Sequence, residues 1–121
     1  TNARLGQDKA DWLAQHWAQP GPDGRWRILG DSAHKVINPY LFHIEEALAM
    51  YRRISAPVLV VEASDDSLSQ WWKGKYTLAE FHERLRSVPG LETAMIQDAG
   101  HMLQHDQPQA LAALIENHLK D

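Results

Sequence analysis

The chain of 121 residues contains no cysteine. Disulfides and thiolate metal sites are therefore excluded, and the absence fits a reducing, cytoplasmic setting. No apolar run approaches the ~20 residues that a membrane-spanning helix needs, and no secretory signal pattern opens the chain. Basic residues are also in deficit, 12 Lys and Arg against 16 Asp and Glu, for a formal net charge of -4. That balance gives no reason to expect attraction to nucleic acid phosphates. Arg52-Arg53 is the one adjacent basic pair and reads as a solvated helix end. No internal repeat or low-complexity tract occurs.

What remains is the composition of a globular protein, 44% hydrophobic and 23% charged, with length for one domain or part of one. The opening Thr1-Asn2-Ala3 lacks a methionine, and the chain is expected to begin inside a longer protein. Ala10, Leu13 and Trp17 have helical spacing, extended by Leu5 and Trp12, and predict a helix from Gln7 to Gln19. Pro20-Gly-Pro-Asp-Gly24 is a strong turn cluster. Arg25 to Ile37 reads as a loop or short extended piece. Asn38 as N-cap, Pro39 at the first helical position and the stripe Leu41, Ile44, Leu48, Tyr51 predict a second helix over 40–53.

Val58-Leu-Val-Val-Glu62 is short, β-branched and apolar on both faces. This suits a central parallel strand covered by helices on each side. A long loop is predicted from Ala63 to Tyr76. Thr77 and Glu80 match a capping box for a third helix, lined by Leu78, Phe81, Leu85 and Val88 and ended by Pro89-Gly90. Leu91 to Gln97 reads as a second strand. Asp106 is placed to cap a last helix with Pro108 in its first turn, whose inner face would bury Leu111, Leu114, Ile115 and Leu119. The order is βαβα, with the two strands expected as parallel neighbours.

Ligand and catalytic groups in such sheets lie beyond the carboxyl ends of the strands. The Asp65-Asp66 loop and the Ala99-Gly100-His101 loop are both expected there, Gly100 allowing a tight turn. A carboxylate accepting from one imidazole nitrogen fixes the tautomer and leaves the other nitrogen free as a base. His101 with Asp65 or Asp66 is thus a candidate pair. The alternative is a polar strand exit beside an ordinary loop histidine. His101 and His105 have the four-residue spacing of helical zinc pairs, but lack the adjacent glutamate of that motif and lie behind a loop glycine; no metal is expected. His34, His43 and His82 read as ordinary surface residues. Trp71-Trp72 beside Lys73 and Lys75 reads as one ring packed under the acid loop and one covering the first helices, or as an exposed patch.

Pro57-Val-Leu-Val-Val-Glu-Ala-Ser-Asp-Asp66, a helix, a strand, Ala99-Gly-His101, then Asp106 and Pro108 together resemble the C-terminal half of the α/β-hydrolase fold, over roughly Ile54 to Leu119. The resemblance implies His101 as general base and Asp66, three residues after Ala63, as its orienting acid. Ala63 stands where the family has glycine, which keeps Asp65 open as the alternative. It further implies that 1–39 is the remnant of a mostly helical cap and 40–121 the C-terminal half of the core. Trp12, Trp17, Trp26 and Tyr40 would then line a substrate pocket or pack the cap on the core.

The family's nucleophile elbow, Gly-x-Ser-x-Gly, is absent. Ser32 in Gly30-Asp-Ser-Ala lacks the second glycine and a preceding strand. The resemblance therefore implies a hydrolase of esters or related bonds whose nucleophile and oxyanion donors lie outside this chain. It would need no cofactor and would take a small-molecule substrate in the intact parent. The other reading is a non-catalytic binding module that pairs its exposed strand edges, with the missing half or as a homo-oligomer.

Overall fold

A computed structural model describes residues 2–120. The chain divides into two compact units, residues 1–42 and 43–121. Among the described residues no helix is long and apolar enough to cross a membrane.

The first unit opens with helix α1 (Gln7–Trp17). It stops two residues short of Gln19 because Ala18 is already extended, at φ -141° and ψ 159°. Ala18–Pro20 forms strand β1, and the turn cluster folds the chain back so that Trp26–Ile28, strand β2, pairs antiparallel with it. A hairpin therefore stands where a helix end, a turn and a loop or short extended piece were expected. The turn is closed by hydrogen bonds between Gly21 and Arg25 and between Gly24 and Gly21, and Gly24 takes the left-handed conformation, φ 73°, that favours glycine. A 3-10 turn follows at Ser32–Lys35, capped by Asp31.

The second unit begins with helix α2 (Ile44–Tyr51), whose N-cap is His43. This corrects the expected start at Asn38-Pro39. The Asn38 side chain accepts from the N–H of Tyr40 only two residues on, at 2.9 Å, a local turn that competes with helix initiation. Glu45 and Glu46 sit in the first turn instead, where negative charge suits the helix dipole.

Strands β3 (Val58–Ala63) and β4 (Leu91–Ile96) pair in parallel, with Val58 opposite Leu91 and Ala63 opposite Ile96. The expected βαβα order is present, and among the described residues the sheet has these two strands. Between them run helix α3 (Ser67–Trp71) and helix α4 (Leu78–Leu85). After β4 come helix α5 (Leu103–Asp106) and helix α6 (Pro108–His118).

His82 of α4 meets Glu62 of β3 at 2.5 Å, and His118 of α6 meets Glu92 of β4 at 3.3 Å. Glu92 lies opposite Leu59, and residues 59 and 62 point to opposite faces of a strand. The two helices therefore cover opposite faces of the sheet. His82 is thus a helix-to-sheet anchor rather than a residue without a role.

The core is small: Ala47, Leu85, Val88, Ile96 and Ala99 are its buried apolar residues. Every residue of β3 is only half-buried. Along α6, Leu111 and Leu114 are half-buried, while Ile115 and Leu119 remain 43% and 77% exposed. The inner face assigned to that helix is thus covered only in part, because two strands are too narrow a floor for it.

The capping box at α4 forms as the sequence predicts. Thr77 Oγ1 accepts from the N–H of Glu80, and the Glu80 carboxylate accepts from the N–H of Thr77. Thr77→Ala should lower stability by about 1 kcal/mol, read as a fall in the urea midpoint with an unchanged m-value.

Candidate functional site

Parallel pairing brings two loops out at one end of the sheet, and main-chain hydrogen bonds fasten them together. Ser64 N–H donates to Ile96 C=O at 2.9 Å, and Asp65 N–H donates to Ala99 C=O at 3.1 Å. Ala99 is fully buried. Asp98 rather than a glycine takes the left-handed turn of the second loop, at φ 53°. A short side chain of this kind tolerates that region by bonding locally.

Gly100 N–H donates to Asp106 Oδ2 at 2.8 Å. Asp106 was expected to cap the last helix. It instead closes α5 and holds the histidine loop, while the residue before α6 is Gln107, whose side chain makes no capping bond. Pro108 does open α6. The loop is thereby clamped on both sides of His101: through Ala99 to the acid loop and through Gly100 to Asp106.

Asp65, Asp66, Gly100 and His101 line one cleft of about 140 Å³, with Leu68 and Leu103 among its apolar walls. Residues from two loops about 35 positions apart in sequence thus border the same cleft, while the hydrogen bonds of Asp66 run to Ser69 and the ring contact of His101 to Trp71. Their hydrogen bonding adds a feature the sequence reading missed. Asp66 is the N-cap of α3, within the segment expected to be loop. Its Oδ1 accepts from Ser69 N–H at 2.9 Å and its Oδ2 from the Ser69 hydroxyl at 2.5 Å. An Asp followed three residues later by Ser, ahead of a tight turn at Lys73 and Gly74, was the available signal. Both of these take positive φ, 51° and 74°.

The Ser69 hydroxyl, and after it the Ser69 N–H, hold the Asp66 carboxyl below its ordinary value of 3.8; partial burial opposes them and the Leu68 N–H adds to them. Asp66 is therefore an ionised acceptor at neutral pH. Helix α3 ends in Trp71, whose ring lies 4.2 Å from that of His101, tilted by 51°. The indole meets the imidazole at an angle, and both residues stay exposed, Trp71 at 65%. Trp72 meets Tyr76 edge-on. The order of dependence is Asp66 to Ser69, Ser69 to α3, and α3 to the ring above His101.

The aromatic residues assigned to a substrate pocket lie in the first unit. Trp12 and Trp17 are on α1, Trp26 is on β2, and Tyr40 follows the Asn38 turn. Trp12 stacks on His16 with centroids 4.1 Å apart. All four rings are more than half exposed. Ser32 opens the 3-10 turn. Among the described residues no three or more His, Cys, Asp or Glu are grouped so as to hold a metal ion.

No family model matches the sequence, no curated protein is similar to it, and no solved structure matches its fold.

Ser69→Ala should raise the Asp66 pKa toward the ordinary carboxylate range, read by carbon-13 NMR titration of its carboxyl. Because the folded pKa of Asp66 is lowered, its contribution to stability is complete above the ordinary value and is lost as pH falls through the folded one. The acid limb of the stability profile should accordingly be shallower in Ser69→Ala. Trp71→Ala should speed modification of His101 by an imidazole-acylating reagent, since the neighbouring indole that restricts the ring's rotation and approach is gone.

Proposed function

We propose that this chain is the C-terminal part of an α/β-hydrolase-like enzyme. In the intact parent His101 is the general base, Asp66 is its orienting acid, and Asp65 is the alternative. The observation that carries the reading is the common cleft at the carboxyl ends of β3 and β4, lined by both aspartates and His101. Open parallel sheets place their reacting groups at this end.

The chemistry follows from what the groups can do. A histidine base takes a proton from a nucleophile and returns it to the leaving group, and a carboxylate steadies the imidazolium formed between the two steps. Asp66 stays ionised under the pull of Ser69, as that task requires. Each of its oxygens already accepts from Ser69, and a carboxylate oxygen has a second lone pair for an imidazole N–H. The nucleophile and the oxyanion donors are contributed from outside this sequence, and without them a base and an acid supply neither the attacking atom nor stabilisation of the developing charge.

The chain alone should show no turnover of a short-chain nitrophenyl ester above its His101→Ala variant. In the intact parent, His101→Ala should lower kcat by roughly 10³-fold or more. An Asp66→Asn and Asp65→Asn pair should separate the acid from its neighbour, the larger loss marking the acid. Turnover by the chain alone that vanishes in His101→Ala would overturn the division of labour, and an intact parent indifferent to His101→Ala would overturn the reading itself.

A further inference from the structure

The clamps on the histidine loop act on the main chain of Ala99 and Gly100, and they do not reach the imidazole of His101. That side chain is exposed, and an exposed side chain exchanges freely among its staggered rotamers. What its ring meets is Trp71, at 4.2 Å between centroids. His101 lines the cleft together with Asp65 and Asp66, whereas Trp71 is not among the walls. The indole therefore bears on the imidazole from outside the cleft and leaves the cleft side of the ring open. Trp71 is itself exposed, so core packing does not account for its place.

The segment that carries Trp71 is fastened at both ends. At the front, Asp66 accepts from the N–H and the hydroxyl of Ser69. At the back, Gly74 N–H donates to Ser69 C=O at 3.1 Å and Lys73 N–H to Gln70 C=O at 3.3 Å, with Lys73 in the left-handed region. These nested bonds are a Schellman closure, with lysine where glycine is usual. Ser69 thus ties both ends of α3. Beyond the closure the chain is pinned to α4. The Trp72 and Tyr76 rings meet edge-on with centroids 6.4 Å apart, and the Arg84 guanidinium lies over the Tyr76 ring at 4.4 Å, a distance at which the ring attracts the cation. A five-residue helix does not hold its own shape in water. These fastenings therefore decide where Trp71 stands.

We propose that Trp71 is a positioning residue for His101. It selects the rotamer that presents the imidazole to the cleft, and the Ser69 bonds and the Trp72–Tyr76–Arg84 stack keep it in place. This role rests on the reading of His101 as a general base. A base acts only where its nitrogen lies within hydrogen-bond reach of the proton it takes, and a small misplacement of a reacting group is costly in rate. The indole narrows the rotation of the imidazole before any substrate arrives. Its effect is on orientation, so it belongs in kcat rather than in KM.

NMR of the chain tests the orientation directly. In the wild type the His101 ring protons should show cross-relaxation to the Trp71 indole, and the three-bond couplings across Cα–Cβ of His101 should report a single rotamer. Trp71→Ala should average those couplings, and Trp71→Phe should restore them in large part. Arg84→Ala, remote from the cleft, should weaken the cross-relaxation. In the intact parent, Trp71→Ala should lower kcat by roughly tenfold with KM little changed, and Trp71→Phe should recover most of the loss. Averaged couplings in the wild-type chain would overturn the proposal without any variant, as would couplings that Trp71→Ala leaves unchanged. A parent that loses activity in His101→Ala but keeps its full kcat in Trp71→Ala would overturn it and leave the catalytic reading intact. A parent indifferent to both substitutions would overturn the catalytic reading and this role with it.

Discussion

The parallel pairing of β3 with β4 is the constraint on which the second unit depends. Six residues on each strand run in register, from Val58 and Leu91 to Ala63 and Ile96. That ladder fixes where both following loops emerge. It also provides the two faces to which α4 and α6 attach through Glu62–His82 and Glu92–His118. The loop clamps from Ser64 to Ile96 and from Asp65 to Ala99 continue the ladder past its end. They explain why Ala99, in a loop, is the most buried residue of the core. Its backbone is held by the neighbouring loop, its C=O accepting from Asp65 N–H and from the Ser64 hydroxyl.

The same pairing leaves a deficit. Two strands bury few side chains, and β3, apolar at five of its six positions, stays half-buried throughout. An apolar strand with unpaired main-chain groups has two sources of stability still unused, burial and hydrogen bonding. The exposed end of α6 belongs to the same deficit, since two strands do not reach beneath it. Site and edge are therefore two consequences of one arrangement: the carboxyl ends of the strands gather polar groups, and the flank of the strands gathers unsatisfied apolar surface.

Much of the fold was legible because its signals are local. Strand β3 announced itself through its β-branched run, α4 through Thr77 and Glu80, and α6 through Pro108. The misreadings share a cause: a short polar side chain can serve several backbone groups, and sequence does not say which. Asn38 was read as a helix cap and makes a two-residue turn to Tyr40. Asp106 was read as a cap and instead holds Gly100 from six residues away. Asp66 was read only as an acid and also caps a helix absent from the expectation. The turn of the β1–β2 hairpin was read and β2 fits the short extended piece expected after it, but the pairing was missed because three-residue strands carry too little periodicity and β1 was read as the end of the helix.

By itself the sequence determined the βαβα order of the second unit, the parallel relation of its two strands, and the emergence of the Asp65-Asp66 and His101 loops at one end of the sheet. These follow from local periodicity and from the geometry of a βαβ crossover. Tertiary structure alone decided that the Trp71 ring meets that of His101, that Asp106 reaches back to Gly100, and that β3 keeps an open edge. Such facts depend on distances between side chains and on how far a neighbouring surface reaches, and a linear pattern of residue types specifies neither.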